Sequence, residues 1–296
     1  MEMLKSCNLC PRACNIDRTK TFGICQVSSK VKVARAALHF WEEPCISGEN
    51  GSGAVFFSGC SLHCVFCQNE KISHGTVGKD ITNEELAGIY IKLQKDGANN
   101  INLVTGTHYI PQIVDSVNMA RESGLNIPII YNTSGYETVE SLRLLDGIVD
   151  AYLPDFKYMD SALALKYSHA SDYPKVAKAA IDEMVRQCPF VQFDEAGFIT
   201  SGVIVRQLLL PGHVNDAKHI VKYLWEKYGS KIYLSLMSQY TPMPQIKDKF
   251  PELDRRITKR EYDNLVNYAL ELGVENAFIQ DRKVAKESFI PDFNWD

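Results

Sequence analysis

Three cysteines lie close together directly after a short apolar run. They are Cys60, Cys64 and Cys67, so the loop has the spacing C-x3-C-x2-C. Three thiolates on one tight loop suit three irons of a cubane [4Fe-4S] cluster, which leaves the fourth iron free to bind another molecule. A structural zinc site usually has four protein ligands, and here only the poorly placed His63 could supply the fourth. The spacing therefore predicts an iron–sulfur site, with zinc or unliganded buried cysteines as the alternatives.

Four more cysteines precede this loop with the spacing C-x2-C-x3-C-x10-C. They are Cys7, Cys10, Cys14 and Cys25. Four thiolates in one short segment can close a tetrahedral zinc site or hold an auxiliary iron–sulfur cluster, and the spacing does not choose between them. We therefore predict a second metal site of one of these two kinds. The two remaining cysteines, Cys45 and Cys188, are expected to be small apolar fillers.

The elements that must position these residues are predicted from short apolar runs that alternate with helical patterns. Strand-like runs cover residues 54–58, 102–105, 127–132, 151–156, 202–210 and 231–237. Helical patterns cover residues 86–94, 112–123, 138–145, 173–186, 215–228 and 262–272, and capping boxes begin at Thr82 and Thr258. Six such alternations predict one α/β sheet that is doubly wound or closes towards a barrel. In either architecture, ligands bind at the C-terminal ends of the strands.

Composition excludes several classes of function. The 296 residues carry 32 basic and 36 acidic side chains, a net charge of −4, which does not suggest a nucleic-acid binder or a binder of anionic membranes. The basic stretch at residues 255–260 has acidic neighbours and opens a helix, and Gly48, Gly51 and Gly53 lack the Lys-Ser/Thr of a phosphate loop. Neither a signal peptide nor a membrane span is visible, so we expect a cytoplasmic protein, where thiols stay reduced and available to metals.

The loop and its surroundings resemble a known family. The run Cys60-Ser61-Leu62-His63-Cys64-Val65-Phe66-Cys67 is similar to the C-x3-C-x-aromatic-C hallmark of the radical SAM superfamily, and residues 44–60 and 205–213 resemble pyruvate formate-lyase activating enzymes and their uncharacterised relatives. The resemblance implies a partial (β/α)6 TIM-like barrel over residues 51–296 with a C-terminal helical extension. Residues 1–50 would then be a cysteine-rich metal-binding segment.

The same resemblance implies a cofactor chemistry. Cys60, Cys64 and Cys67 would hold a catalytic [4Fe-4S] cluster, S-adenosylmethionine (SAM) would chelate its open iron, and Phe66 would lie against the adenine. An external one-electron reductant would drive cleavage of SAM to a 5′-deoxyadenosyl radical that abstracts hydrogen. The protein would then orient these groups and exclude water.

Several strand ends carry residues that suit the cofactor. Thr105-Gly106-Thr107-His108 stands where the superfamily usually has Gly-Gly-Glu, so the contact to the SAM amino group is open and His108 has another role. Asn132-Thr133-Ser134-Gly135 resembles an Asp-Thr-Asn-Gly turn, and Asp155-Phe156-Lys157 resembles an Asp-x-Lys element. Arg206 lies in an apolar strand, so its guanidinium must face a lumen or a carboxylate. The residues expected to bind the cofactor are Phe66, Gly106, Thr107, Asn132, Thr133, Asp155, Lys157 and Arg206, and Gln239 and Tyr240 are weaker candidates for lining the mouth.

By resemblance, the protein is an oxidoreductase that activates a glycyl-radical enzyme by removing hydrogen from a glycine of that partner. Radical modification of another protein or of a small molecule is the alternative within the same chemistry, and residues 39–43 could line the path of a partner. A different class would be an iron–sulfur electron carrier or a zinc-binding module that does not cleave SAM.

Overall fold

The computed structural model describes residues 2–280. The strands are β1 (Val31–His39), β2 (Ser52–Phe57), β3 (Lys79–Ile81), β4 (Ile101–Val104), β5 (Ile129–Thr133), β6 (Ala151–Pro154), β7 (Gln192–Phe193), β8 (Ile199–Leu208), β9 (Tyr233–Met237) and β10 (Ala277–Ile279). The α-helices are α1 (Glu2–Lys5), α2 (Pro44–Ser47), α3 (Glu70–Ser73), α4 (Asn83–Lys95), α5 (Ile110–Glu122), α6 (Val139–Arg143), α7 (Ser161–Ser168), α8 (Tyr173–Gln187), α9 (Val214–Tyr228) and α10 (Lys259–Glu271). None of the helices in the described range is both long and apolar enough to cross a membrane.

The sheet is mainly parallel. Its strands follow the order β10-β9-β8-β6-β5-β4-β2-β1-β3, and β7 pairs with β8 beside this path. Along this order, every pair between β10 and β2 is parallel. β1 is antiparallel to both β2 and β3, and β7 is antiparallel to β8. The six predicted strands are present as β2, β4, β5, β6, β8 and β9, and the predicted α/β class with a cysteine-rich N-terminal segment is confirmed.

Other elements were not predicted from the sequence. β1 covers the edge of β2, and β3 in turn covers β1, which removes an exposed edge from the parallel sheet. Residues 31–39 lie in the stretch expected to be the metal-binding segment, and they extend the sheet instead. The boundary at residue 50 stays a prediction, and residues 281–296 of the predicted C-terminal extension lie outside the described residues.

Local sequence explains where the main helices begin. Both predicted capping boxes are confirmed: Thr82 with Glu85 opens α4, and Thr258 with Glu261 opens α10. α7 was missed. Its first turn is capped by Asp160, which accepts a hydrogen bond from the backbone N–H of Ala162 at 2.6 Å.

The strands of the barrel have two differently packed faces, because successive side chains alternate across a sheet. Tyr131 of β5 and Val203 of β8 belong to the large apolar core that the helices cover. Their neighbours Ile130 and Ile204 belong to a separate apolar cluster that includes Cys45 of α2. α2 therefore closes the N-terminal end of the barrel, and the inward residues further along the strands are free to form a polar site.

Candidate functional site

The three-cysteine loop opens onto a cavity at the C-terminal ends of the parallel strands. This cluster cavity has a volume of about 260 Å³, and Cys60, Cys64, Phe66 and Cys67 all line it. Phe66 is backed by Tyr240, with ring centroids 6.1 Å apart in an edge-on contact. Gln239 also lines the cavity, whereas Tyr240 is buried behind Phe66.

The thiols of this loop are in an environment that disfavours the isolated thiolate. Burial raises the pKa of Cys64, and it raises the pKa of Cys67 to about 12; the other thiols of the loop add to both effects. The positive charge of Lys157 opposes this effect and lowers the pKa of Cys64. Two hydrogen bonds also reach the sulfur atoms: the Ser168 hydroxyl donates to the Cys64 Sγ at 2.9 Å, and the Leu62 N–H donates to the Cys60 Sγ at 3.4 Å. Buried thiols with donors aimed at sulfur suit a group that binds thiolates and neutralises their charge.

The geometry discriminates between a mononuclear ion and a cluster. Within residues 2–280, no three His, Cys, Asp or Glu side chains are gathered closely enough to hold one metal ion. A cubane cluster takes each thiolate on a different iron, so its three sulfurs stand further apart than the ligands of a single zinc ion. The Nε2 of His63 contacts the backbone oxygen of Ile24 at 2.8 Å, so only its Nδ1 is without a hydrogen-bond partner among residues 2–280. Cys60, Cys64 and Cys67 provide three thiol ligands, the number that a [4Fe-4S] cluster with one open iron takes.

The turn after β4 is where the sequence departs from the family pattern. His108 is buried, its Nε2 contacts the backbone oxygen of Ser58 at 2.8 Å, and burial together with Arg18 lowers its pKa to about 3. His108 is thus neutral and supports the cysteine loop from behind. Thr105 lines the cluster cavity, and a Cβ on Gly106 would lie 2.5 Å from the Ile113 Cδ1. The small size of Gly106 therefore serves packing against α5.

A buried carboxylate joins this turn to the next one. The Thr107 hydroxyl donates to the Glu137 Oε1 at 2.7 Å, and the hydroxyl of Thr133, at the end of β5, donates to the same oxygen. Burial raises the pKa of Glu137 to about 7, although both threonine hydrogen bonds favour the charged form. Glu137 Oε2 has no hydrogen-bond partner within the described chain. Sequence reasoning missed Glu137; an acid five residues after the predicted strand end at Asn132 was the signal for it.

Arg206 organises the floor of the cluster cavity. Its Nε donates to the Asp155 Oδ1 at 3.1 Å, one terminal nitrogen donates to the Glu42 Oε2 at 3.0 Å, and the other donates to the Asn132 Oδ1. Asn132 in turn donates from its amide nitrogen to the Glu42 Oε1 at 3.2 Å, and Asn102 donates to the same oxygen at 3.1 Å. Arg206 was predicted to face a lumen or a carboxylate; it lines the cavity and is bonded to two carboxylates.

Asp155 and Lys157 form a half-buried ion pair beside the cysteine loop. Burial alone would raise the pKa of Asp155, but Lys157 and Arg206 together hold it below its usual range. Burial likewise opposes the charge of Lys157, yet Asp155 and Cys64 keep its pKa above the usual value. Both side chains line the cluster cavity with Thr133, so they present charged groups to whatever occupies it. Sequence reasoning did not single out Glu42, which lies in the stretch thought to line a partner's path.

The N-terminal cysteine segment, residues 7–25, packs directly on the three-cysteine loop. The guanidinium of Arg12 donates to the backbone oxygens of Ser61, Ser168 and His169. Arg18 is fully buried and donates to the backbone oxygen of His108 at 2.6 Å. Gly59 has a φ of +92°, and a Cβ there would lie 2.6 Å from the backbone oxygen of Cys25, so only glycine allows this close approach.

The four cysteines of this segment are neighbours. Burial raises the pKa of Cys10 to about 12, and Cys25, Cys14 and Cys7 all raise it further. The backbone N–H of Ile24 donates to the Cys14 Sγ at 3.5 Å. These are thiol donors of the kind a metal needs, but in the described range they are not drawn together around one ion.

The two cysteines expected to be fillers lie within apolar clusters. Cys45 packs at the closed end of the barrel, and Cys188 lies in the main core. The Cys188 thiol donates to the backbone oxygen of Asp150 at 3.3 Å.

Three kinds of similarity can now be set beside this geometry. Residues 54–192 match the model of the Radical SAM superfamily. An uncharacterized protein of Methanocaldococcus jannaschii is 29% identical over 280 residues, which are 92% of this chain and 77% of that protein.

Solved structures show the same fold. SuiB of Streptococcus suis, bound to its precursor peptide SuiA, superposes with a TM-score of 0.50 at 11% identity and covers 75% of this chain. SuiB bound to S-adenosylmethionine gives a TM-score of 0.50 at 13% identity over 75% of this chain. The chain spans about half the length of these SuiB chains, 46% and 48% respectively.

These similarities agree with the site. The matched residues 54–192 contain the cysteine loop, the turns after β4 and β5, and the Asp155–Lys157 pair. Residues 54–192, with the three-cysteine loop at the end of β2, are therefore similar to the radical SAM superfamily in both sequence and site.

Proposed function

We propose that the protein activates a glycyl-radical enzyme, using a [4Fe-4S] cluster on Cys60, Cys64 and Cys67 to cleave SAM. Radical SAM chemistry itself follows from the family. The observation that carries the cofactor assignment is that all three thiols open onto the one cavity that also holds Asp155, Lys157 and Arg206. The choice of a glycyl-radical partner is supported by the resemblance of residues 44–60 and 205–213 to activating enzymes.

In this proposal each residue at the mouth has a separate task. The cluster, when bound, supplies the electron that cleaves a sulfur–carbon bond of SAM. Ser168 holds Cys64 through its hydroxyl, and Phe66 offers a ring face to the adenine, with Tyr240 fixing the orientation of that ring. Lys157 and Asp155 present an ammonium and a carboxylate, which suit the carboxylate and hydroxyl groups of SAM.

The floor of the cavity has a positioning role. Arg206 is bonded on three sides, so it keeps Asp155, Asn132 and Glu42 in one geometry rather than turning freely towards a ligand. Thr107 and Thr133 are held by one carboxylate, which fixes the turns after β4 and β5. A preorganised polar wall of this kind orients a cofactor without rearrangement at the moment of reaction.

The experiment that tests the radical chemistry is anaerobic reconstitution with iron and sulfide, followed by dithionite reduction and detection of 5′-deoxyadenosine. Wild-type protein should form 5′-deoxyadenosine, and a variant with Cys60, Cys64 and Cys67 all changed to alanine should not. Cys188→Ala is the matched control, because that thiol lies in the core away from the cavity. Absence of product from wild-type protein with an intact cluster would contradict the proposal and favour an electron carrier.

The partner is tested separately. Candidate glycyl-radical enzymes are added to the reduced protein with SAM, and a glycyl radical is sought by electron paramagnetic resonance. If SAM is cleaved but no candidate acquires the signal, the activation proposal loses its support, and modification of another protein or of a small molecule takes its place.

We further propose that Cys7, Cys10, Cys14 and Cys25 bind a second metal, either zinc or an auxiliary iron–sulfur cluster. What supports this is the cluster of mutually close thiols and the N–H of Ile24 aimed at Cys14. Metal analysis of the Cys60, Cys64 and Cys67 triple alanine variant isolates this group. Zinc without iron identifies a zinc site, iron with sulfide identifies a cluster, and neither metal contradicts the proposal.

A further inference from the structure

A second cavity of about 360 Å³ lies at the side of the barrel, between β9, β10 and the residues that follow β1. We call it the side cavity. It shares Trp41 and Glu42 with the cluster cavity, so the two are neighbours across one wall. The residues that matter for its chemistry are Phe40, Trp41, Glu43, Ser235, Phe278 and Ile279.

One wall of the side cavity holds a carboxyl group to which residues 2–280 supply no salt bridge. Glu43 is 8% exposed, and the hydroxyl of Ser235 is hydrogen-bonded to its side chain. Its Oε2 has no hydrogen-bond partner among residues 2–280. Burial raises the pKa of Glu43, and the nearby Glu42 carboxylate adds to that effect, although Arg206 opposes it. A buried carboxylate oxygen with no donor is costly in an apolar setting.

Within the described side chains, the charges around Glu43 balance only while Glu43 keeps its proton. Three carboxylates, Glu42, Glu43 and Asp155, adjoin two cations, Arg206 and Lys157. Arg206 is bonded to Glu42 and Asp155, and Lys157 is bonded to Asp155. Among residues 2–280, Glu43 is therefore the acid without a salt bridge of its own, and a cation bound beside it would let it give up its proton.

The rest of the cavity suits an apolar stem attached to that charge. Phe40 and Trp41 are 47% and 53% exposed, and Ile279 is 49% exposed, so large apolar side chains rim the opening. Aromatic ring faces attract ammonium and guanidinium groups, and they also pack against methylene chains.

We propose that the side cavity binds a cationic group on an apolar stem, a primary ammonium or a guanidinium, with Glu43 as its counter-ion. As a subsite for the molecule that the radical modifies, this rests on the proposed function, because the side cavity adjoins the cluster cavity at Trp41 and Glu42. The positive charge of the ligand pairs with the Glu43 carboxylate, and the apolar stem of the ligand lies between Phe40, Trp41 and Phe278.

Binding of n-butylammonium to the reconstituted protein at about pH 7.5 tests the site without turnover, with 1-butanol as the neutral probe of similar length. We expect n-butylammonium to bind with a millimolar dissociation constant, as a small fragment should. Glu43→Gln should weaken that binding at least about tenfold and leave 1-butanol unaffected. Glu49→Gln is the matched control, since Glu49 is an exposed acid in the same stretch.

Ser235→Ala provides a second variant if Glu43→Gln does not fold, because it removes only the hydroxyl that holds the carboxylate. Weaker n-butylammonium binding in either variant supports the proposal. Equal binding of the two probes, or binding unchanged by both substitutions, overturns it. Formation of 5′-deoxyadenosine by wild-type protein is measured in parallel, so failure of this site is distinguished from failure of the radical chemistry.

A capped tripeptide with a central lysine or arginine identifies the source of the cation. Tighter binding of the peptide than of n-butylammonium supports a side chain of a protein partner, and binding of the amine alone supports a free small molecule. In both cases the Glu43→Gln substitution must weaken the interaction, or the proposed counter-ion is wrong.

Discussion

Glu137 makes the stability of this protein depend on pH in a way that can be calculated. Its carboxyl group is buried, and burial raises its pKa to about 7. In the unfolded chain a glutamate titrates near 4.3. The folded state therefore holds a proton that the unfolded state has released between these two pH values. The contribution of Glu137 to the free energy of unfolding is therefore fully present below about pH 4 and is lost as the pH rises through about 7.

The magnitude follows from the pKa difference. Each pH unit between the two values costs about 1.4 kcal/mol, so the free energy of unfolding falls by about 3 kcal/mol between about pH 4 and pH 8 on account of this one side chain. Glu137→Gln keeps an oxygen that can accept from Thr107 and Thr133 but removes the titration. The stability difference between the variant and the wild type should therefore shift in favour of the variant as the pH rises.

Urea unfolding of both proteins at a series of pH values measures this difference. Comparing the variant with the wild type largely cancels the contributions of the other titrating groups, including Asp155 and Lys157, which follow β6 and act on the pKa of Glu137. Glu140→Gln is the matched control: it makes the same change of charge at an exposed position of α6 and should give a constant difference. A Glu137→Gln difference that stays flat from about pH 5 to pH 8 would refute the assignment of a raised pKa.

Three further substitutions test the packing of the site. Arg206→Ala leaves the partly buried Glu42 without its cation and Asp155 with Lys157 alone, so it should lower the free energy of unfolding by about 2–3 kcal/mol, measured by urea unfolding; a loss below about 1 kcal/mol would mean that these ion pairs are weak. Gly135→Ala places a Cβ 2.2 Å from the backbone oxygen of Asp155 at a φ of +75°. It should lower the thermal midpoint well below that of Gly124→Ala, where φ is +97° and no atom lies within 4 Å. Equal thermal midpoints of the two variants would contradict this reasoning. Arg12→Ala removes three hydrogen bonds to backbone oxygens and should speed hydrogen exchange in the N-terminal cysteine segment, with unchanged exchange as the contrary result.

Features set by neighbouring residues were predictable from the sequence. The cysteine loop is eight residues long, so its spacing alone indicates a shared site. Thr82 and Thr258 begin helices through contacts three residues away, which is a local property of the chain. The six barrel strands were visible because strands buried on both faces are nearly continuous apolar runs.

Other features depend on residues far apart in the chain. β1 was not recognised as part of the sheet, because its partner is β2 and its role is to cover an edge. Glu42 and Arg206 are 164 positions apart, and Arg12 and His169 are 157 apart. The pairing carries no signal in a single sequence: the apolar strand around Arg206 indicated a special role, but Glu42, Arg12 and His169 alone resemble ordinary surface residues.

The sequence by itself determined the class of chemistry and the class of fold. Thiol spacing and apolar periodicity are short-range patterns, and they specify a cluster loop on a parallel α/β sheet. Only the tertiary structure decided that Glu137 joins the turns after β4 and β5, that His108 supports the loop instead of facing the cavity, and that Glu43 is buried without a salt bridge to any of residues 2–280. Burial decides each of these, because the protonation and partners of a polar group depend on which distant segments exclude water from it.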